Sequence, residues 1–189
     1  VAHRSHASVT GLTDYVPSFS GRSLEKEVIT IGRFLSSKNK RKIAIIGGSK
    51  ISTKINLINN LLKNVNAIVI GGAMANTFLL AQGRKIGKSL NEESMVKIAK
   101  KIISNASKNK CKIILPVDAI VASNLREGGE FSEYSIENIP NDGLILDIGK
   151  KSIAIIDKEI SKTKEVLWCG PLGLFEQSPF HVGTASVAK

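Results

Sequence analysis

Short apolar runs rich in β-branched residues recur along the chain, each ending at or near glycine or proline. They are Ile43-Ala44-Ile45-Ile46, Ala67-Ile68-Val69-Ile70, Lys112-Ile113-Ile114-Leu115, Leu144-Ile145-Leu146-Asp147 and Glu165-Val166-Leu167-Trp168. Apolar runs of four without polar alternation predict strands covered on both faces. Helical spacing lies between most of them. Ile55, Ile58, Leu61 and Leu62 form one stripe, Met95, Ile98, Ile102 and Ile103 a second with lysines opposite, and Ile153, Ile156 and Ile160 a third. This alternation predicts βαβ units and one parallel sheet, with right-handed crossovers placing helices on both faces. Upstream, Val16 through Leu35 reads as a long helix, with Glu25-Lys26-Glu27 outward and Val28, Ile31 and Leu35 on the apolar side. Residues 1–14 carry no core of their own and read as the end of another domain. Residues 123–139 are polar and contain glycine, which suits a short hairpin or an irregular loop.

Composition narrows the class. A chain of 189 residues can bury about 70% of its unfolded surface, so it needs no metal or disulfide staple. With 42% hydrophobic residues it is not a disordered chain. No apolar run approaches the roughly 20 residues of a membrane-spanning helix. The start, Val1-Ala2-His3-Arg4, has neither an initiator Met nor an apolar leader region and reads as a cut end. Two cysteines, Cys111 and Cys169, are too few for a disulfide framework or a zinc site, which favours a reducing, cytoplasmic setting. The net charge of +11 admits nucleic acid, a membrane surface or a phosphorylated small molecule as partner. The basic residues are scattered, however, with only Lys38-Asn39-Lys40-Arg41-Lys42 dense, and 5% aromatics leaves little for base stacking. The expected partners therefore include neither nucleic acid nor membrane.

Ligands of open parallel sheets bind beyond the carboxyl ends of the strands. Those ends carry Gly47-Gly48-Ser49-Lys50, Gly71-Gly72-Ala73-Met74 and Gly170-Pro171-Leu172-Gly173. Three glycine loops on one edge suggest a flat ligand lying against backbone, although none matches a P-loop or G-x-G-x-x-G, and ordinary turn chemistry explains each alone. Gly47 through Lys54 reads as the start of a helix. Lys50 and Lys54, at i and i+4, would then share a face where an anion is favoured. Two solvated lysines remain the alternative. Arg4 with His3 and His6 forms a small cationic cluster, suited to a carboxylate or phosphate or simply exposed. Glu176 suits either ribose hydroxyls or a helix cap. Asp118 reads as a strand-end or turn carboxylate, His181 as structural and Trp168 as core. Cys169 lacks an obvious histidine base for nucleophilic work.

Taken together the segments resemble phosphoglycerate kinase. The matching stretches are Ala2–Ser8, Ile45–Ile55, Ile70–Leu79, Ile86–Leu90, Leu115–Asp118, Leu146–Gly149, Trp168–Glu176 and Phe180–Thr184, in the family's order and spacing. The resemblance implies a two-domain hinge enzyme of glycolysis, a phosphotransferase with a carboxyl-group acceptor. Such an enzyme moves a phosphoryl group reversibly between 1,3-bisphosphoglycerate and ADP, giving 3-phosphoglycerate and ATP, with Mg²⁺. The fold it implies is α/β, a Rossmann-like open parallel sheet with helices on both faces in three αβα layers, incomplete at the C-terminus. Residues 1–14 would be the tail of the substrate-binding domain, 15–36 the interdomain helix and 37–189 the nucleotide-binding domain.

By position, Arg4 resembles the family's substrate arginine, with His3 in its basic patch. Lys50 resembles the catalytic lysine that neutralises the transferring phosphoryl group. Lys54 resembles the nucleotide-phosphate lysine and Glu176 the ribose glutamate. Gly72, Ala73, Leu90, Ile145, Leu146, Pro171 and Leu174 fall on the adenine and ribose pocket. No metal ligand is assigned, since the family's metal-site Asp lies in a Gly-Gly-Gly-Asp-Thr segment outside the 189 residues, so Mg²⁺ would be held through ATP or ADP. Ile145 stands where glycine is common, Ala73 replaces the third glycine of a Gly-Gly-Gly-Met run, and Cys169 replaces an asparagine. The family's N-terminal motifs, including a catalytic arginine, are also outside, so the expectation is a monomeric fragment without appreciable kinase activity. The alternatives are a non-catalytic nucleotide-binding remnant of a split or decayed gene, and a basic RNA-binding module.

Overall fold

In a computed structural model, residues 5–39, 41–125 and 129–189 are described. The chain divides into two compact units, Val1–Ser37 and Lys38–Lys189. The first unit contains a π-turn at Ala7–Gly11, a 3-10 turn at Leu12–Asp14 and one helix, α1 (Arg22–Ser36). This helix starts later than the apolar pattern suggests. Pro17 disfavours helical backbone at the residue before it, and Gly21 (ψ 157°) holds the N-cap in extended conformation.

The second unit is mixed α/β. Its main sheet is parallel, with strand order β3 (Lys112–Ile114), β2 (Ala67–Ile70), β1 (Lys42–Ile46), β7 (Glu165–Cys169). β1 is central. Ile43 and Ile45 point to one side, where they join Val69, Ile114, Ile156, Leu172 and Val187 in a single core cluster. The alternate residues Ala44 and Ile46 are equally buried on the opposite side. Helices α2 (Ile55–Leu61), α3 (Ala73–Ala81), α4 (Val96–Lys108), α5 (Lys150–Ile160) and α6 (Val182–Val187) flank the strands. Hydrophobic periodicity missed α3, because nearly all of its residues are buried and it has no polar face to mark its period.

The Leu144 run departs from the one-sheet expectation. It forms β6 (Leu144–Ile148) in a separate antiparallel sheet, ordered β5 (Phe131–Ser135), β4 (Asp118–Ala122), β6. β4 was not anticipated, and the polar stretch after it contributes β5. The second sheet has its own core of Leu79, Ile86, Ala119, Val121, Ile136 and Ile139, with Ile145 packed against it.

Asp118 ties this sheet to α5. The N-cap residue Gly149 has no side chain to offer, so the carboxylate comes from β4. Its Oδ2 accepts from Lys151 N and its Oδ1 from Ser152 N, both at 2.8 Å, while Glu133 of β5 accepts from Lys150 N at 2.7 Å. Two carboxylates at a helix N-terminus are favoured by the unpaired N–H groups and the dipole. Burial pushes the Asp118 carboxyl up, but the Ser152 and Lys151 hydrogen bonds outweigh it and hold the group below its ordinary value. No helix among the described residues is long and apolar enough to cross a membrane.

Candidate functional site

The three glycine loops meet one another at the carboxyl edge of β1, β2 and β7. Gly47 N donates to Cys169 O, Gly72 N to Leu172 O and Met74 N to Gly48 O, at 2.8–2.9 Å. Gly72 needs its missing side chain twice over. Its φ is +64°, and a Cβ would lie 2.6 Å from the carbonyl oxygen of Gly48.

Beside this junction a cleft of about 410 Å³ opens between the two sheets, within the range of ordinary ligand sites. One wall is Gly72 and Ala73 at the start of α3, with Gly48 and Ser49 next to them. The cleft is also lined by Leu90, by Ile145 and Leu146 of β6, by Pro171 and Leu174 from the loop after β7, and by Glu176. Every residue assigned to nucleotide by resemblance except Lys54 therefore lines this one cleft. Ile145 lines it from the second sheet, and its N–H donates to Ser89 Oγ at 2.8 Å.

The lysines sit next to the cleft in a different arrangement from the expected one. α2 begins at Ile55, so residues 49–54 form a loop and Lys54 is the N-cap residue. Lys50 is exposed on that loop. Lys54 folds back over Gly48, where its Nζ lies 3.8 Å from the place a Cβ would occupy, and reaches Cys169 Sγ at 3.2 Å. The expected pair on one helical face is thus a loop pair. Gly48 turns the chain at the end of β1 with a φ of +124°. His3 and Arg4 lie outside the described residues.

Two residues lining the cleft, Asn76 and Asp147, and Glu92 on the segment after Leu90 had no role from sequence. Asn76, 1% exposed, donates from Nδ2 to Leu90 O at 2.9 Å, which fixes the Leu90 wall. Asp147, 2% exposed, accepts from Gly183 N at 2.7 Å and from Ile148 N at 2.8 Å. Burial pushes its carboxyl up to about 6, with those two N–H groups and the charge of His181 pulling the other way. Its one sequence signal was a lone carboxylate closing an apolar run. Glu92 accepts from Ser52 N at 3.1 Å and Ser52 Oγ at 2.6 Å. Burial raises its pKa, but the Ser52 bonds, aided by Ile51 N–H and the charge of Lys50, bring it below the ordinary value. Trp168 is half-buried and its Nε1 donates to Gly170 O at 2.7 Å, while His181 is the N-cap residue of α6. Among the described residues no group of three or more His, Cys, Asp or Glu could hold a metal ion.

A family model described as phosphoglycerate kinase matches residues 1–189. A phosphoglycerate kinase of Bartonella quintana (strain Toulouse) is 46% identical over 189 residues, covering all of this chain and 48% of the relative. One from Rhizobium meliloti (strain 1021) is 45% identical over 188 residues, covering 47% of the relative. The structure of phosphoglycerate kinase from Coxiella burnetii superposes with a TM-score of 0.88 at 37% identity, over 98% of this chain and 48% of that one. The enzyme from Pyrococcus horikoshii OT3 superposes with a TM-score of 0.82 at 30% identity, over 99% and 48%. The chain spans about half the length of the curated relatives it matches.

Proposed function

This chain belongs to the phosphoglycerate kinase family, and we propose that its cleft binds ADP and ATP as the nucleotide half of reversible phosphoryl transfer to and from 3-phosphoglycerate. The family uses ATP and ADP with Mg²⁺ and binds phosphoglycerate. The observation that carries the reading is the joining of an apolar slot, a carboxylate and a lysine loop at one cleft. A planar base suits the slot between the Gly72-Ala73 backbone and the side chains of Leu90, Leu146 and Leu174. The acceptor oxygens of Glu176 suit ribose hydroxyls. Lys54 and Lys50 would face the phosphates, Lys54 the nucleotide's own and Lys50 the one in transfer.

The chemistry asks for no side-chain nucleophile. Phosphoryl transfer rests on holding donor and acceptor in line and balancing charge on the moving group, which lysines and backbone N–H groups supply. Mg²⁺ would be held chiefly through the nucleotide phosphates, since the cleft's buried carboxylate, Asp147, already accepts a backbone N–H on each oxygen. His3 and Arg4 remain proposed for the phosphoglycerate, the 1–14, 15–36 and 37–189 division for the domains, and a cytoplasmic monomer for the protein.

Calorimetric titration of the 189-residue chain tests the reading. Saturable ADP binding is expected, weakened about tenfold by Lys54→Ala through the lost charge-assisted contact. Adenosine binding should change less than about twofold, because it carries no phosphate. No measurable binding at millimolar ADP would refute the reading. Grafted into a full-length relative, Lys50→Ala should lower kcat and Lys54→Ala should raise KM.

A further inference from the structure

Between Ser89 and Glu92 the chain forms a strap fastened to three different elements. Ser89 Oγ accepts from Ile145 N of β6 at 2.8 Å. Leu90 O accepts from Asn76 of α3 at 2.9 Å, and Glu92 N donates to Thr77 Oγ1 of the same helix at 3.0 Å. The strap ends at the Glu92 carboxylate, which takes both the N–H and the hydroxyl of Ser52. Ser52 lies between Lys50 and Lys54 on the loop after β1. The apolar wall at Leu90 and the lysine loop are thereby linked through a single side chain.

We infer that Glu92 is a positioning residue that latches the Lys50–Lys54 loop to the Leu90 strap, so that the grip on the phosphates depends on it. The inference rests on the proposed nucleotide reading of the cleft. Asn76 and Thr77 fix the strap on a buried helix, so the latch has a firm end. The loop end is exposed: Lys50, Ser52 and Thr53 all face solvent. Glu92 reaches this loop from 40 positions away and holds the Ser52 amide from outside it.

Two effects of opposite sign separate the latch from simple charge. A carboxylate near a phosphate site repels the ligand, so removing it would raise ADP affinity, by up to about twofold for exposed charges roughly 10 Å apart in water. Loss of a latch lowers ADP affinity instead, and leaves a ligand without phosphates untouched.

The test titrates the 189-residue chain with ADP and with adenosine, using wild type, Glu92→Ala, Glu92→Gln and Ser52→Ala, and follows amide hydrogen exchange of residues 50–54 without ligand. Glu92→Ala is expected to weaken ADP about fivefold, the scale of one lost hydrogen bond, with adenosine changed less than about 1.5-fold. Glu92→Gln keeps one acceptor and should fall between wild type and Ala, and Ser52→Ala should cost about twofold because its N–H remains. The double variant should bind ADP no more weakly than Glu92→Ala alone, since both remove one contact. Exchange at Ser52 should quicken in Glu92→Ala. Tighter ADP binding, equal losses on ADP and adenosine, or unchanged exchange would overturn the latch. A wild type that fails to bind ADP would instead strike the nucleotide reading, and the exchange data would still decide whether the latch exists.

Discussion

Asp147 should give stability a pH dependence opposite in sign to that of most carboxylates, and neutralising it should remove that dependence. The side chain is 2% exposed, and Gly173 and Gly183 press so close that a Cβ on either would come within 2.4 Å of Oδ1. Burial raises the carboxyl from 3.8 to about 6, against the pull of two N–H donors and His181. An upward displacement of that size corresponds to about 3 kcal/mol at 1.36 kcal/mol per pH unit. Because the folded value lies above the unfolded one, the native state binds more protons between them. Its contribution is complete below about pH 4 and is lost as pH rises through about 6. Asp147→Asn removes this dependence. It retains one acceptor for Gly183 or Ile148 and leaves the other N–H unpaired, a cost of about 1–3 kcal/mol at every pH. Urea denaturation of both proteins from pH 4.5 to 8.5, extrapolated linearly to water, should give curves that converge or cross between about pH 5 and 7. The variant should be weaker in acid and about equal or stronger in base. Parallel curves would refute the assignment of that slope to Asp147.

The two cysteines should differ sharply toward a thiol reagent at pH 8. Cys111 is buried and its thiol is pushed up to about 11 by burial, so it should react only on unfolding, whereas half-buried Cys169 beside Lys54 should label in the native chain. If ADP phosphates sit at Lys54, saturating ADP should slow Cys169 labelling, and labelling at the same rate with ADP would count against that placement. Gly47→Ala should lower stability by about 3 kcal/mol or more, because its Cβ would lie 1.7 Å from the Pro171 carbonyl oxygen, which is backbone and has little room to yield. Gly83→Ala, where φ is +79° but nothing lies within 4 Å, should cost about 1 kcal/mol through strain alone. Thermal melts of the two variants that coincide would contradict the steric reading.

How legible the fold was depended on whether each element carried a polar side. α4 and α5 lie partly in water, so their stripes at Ile98–Ile102 and Ile153–Ile156 showed in the sequence. α3 is surrounded and left only the GGAM loop as a trace. β6 has the same apolar run as β1, and nothing in Leu144–Ile148 states that its neighbour is the antiparallel β4. Pairing partners are a property of the topology, and a run of four apolar residues cannot encode them. The cleft was legible for a different reason. Its residues lie at strand ends and loop starts, where glycine, proline and lone charges break the apolar pattern. Glu92 stayed hidden because an exposed-looking glutamate among lysines shows its partner, 40 positions away, only in three dimensions.

The glycine loops first suggested backbone laid open for a flat ligand, and their geometry gives a prior reason for glycine. At Gly47, Gly72 and Gly170 an added Cβ would strike the backbone of a neighbouring loop, at Pro171, Gly48 and Gly47 respectively. The three loops can therefore converge only if they carry no side chains there, and their hydrogen bonds then join the ends of β1, β2 and β7 into one floor. A cleft wall of this kind is already in shape before any ligand arrives, which lowers the ordering cost of binding. The lysine loop stands outside that floor. Its residues 49–54 have no glycine contact of this sort beyond Gly48, and its tie to the floor runs through Lys54 to Cys169 and through Ser52 to Glu92. Under the proposed nucleotide reading, a rigid slot for the base and a tethered lysine arm for the phosphates would answer the two demands of phosphoryl transfer. On that reading the slot would fix where the nucleotide sits, and the arm would let positive charge follow the group that moves.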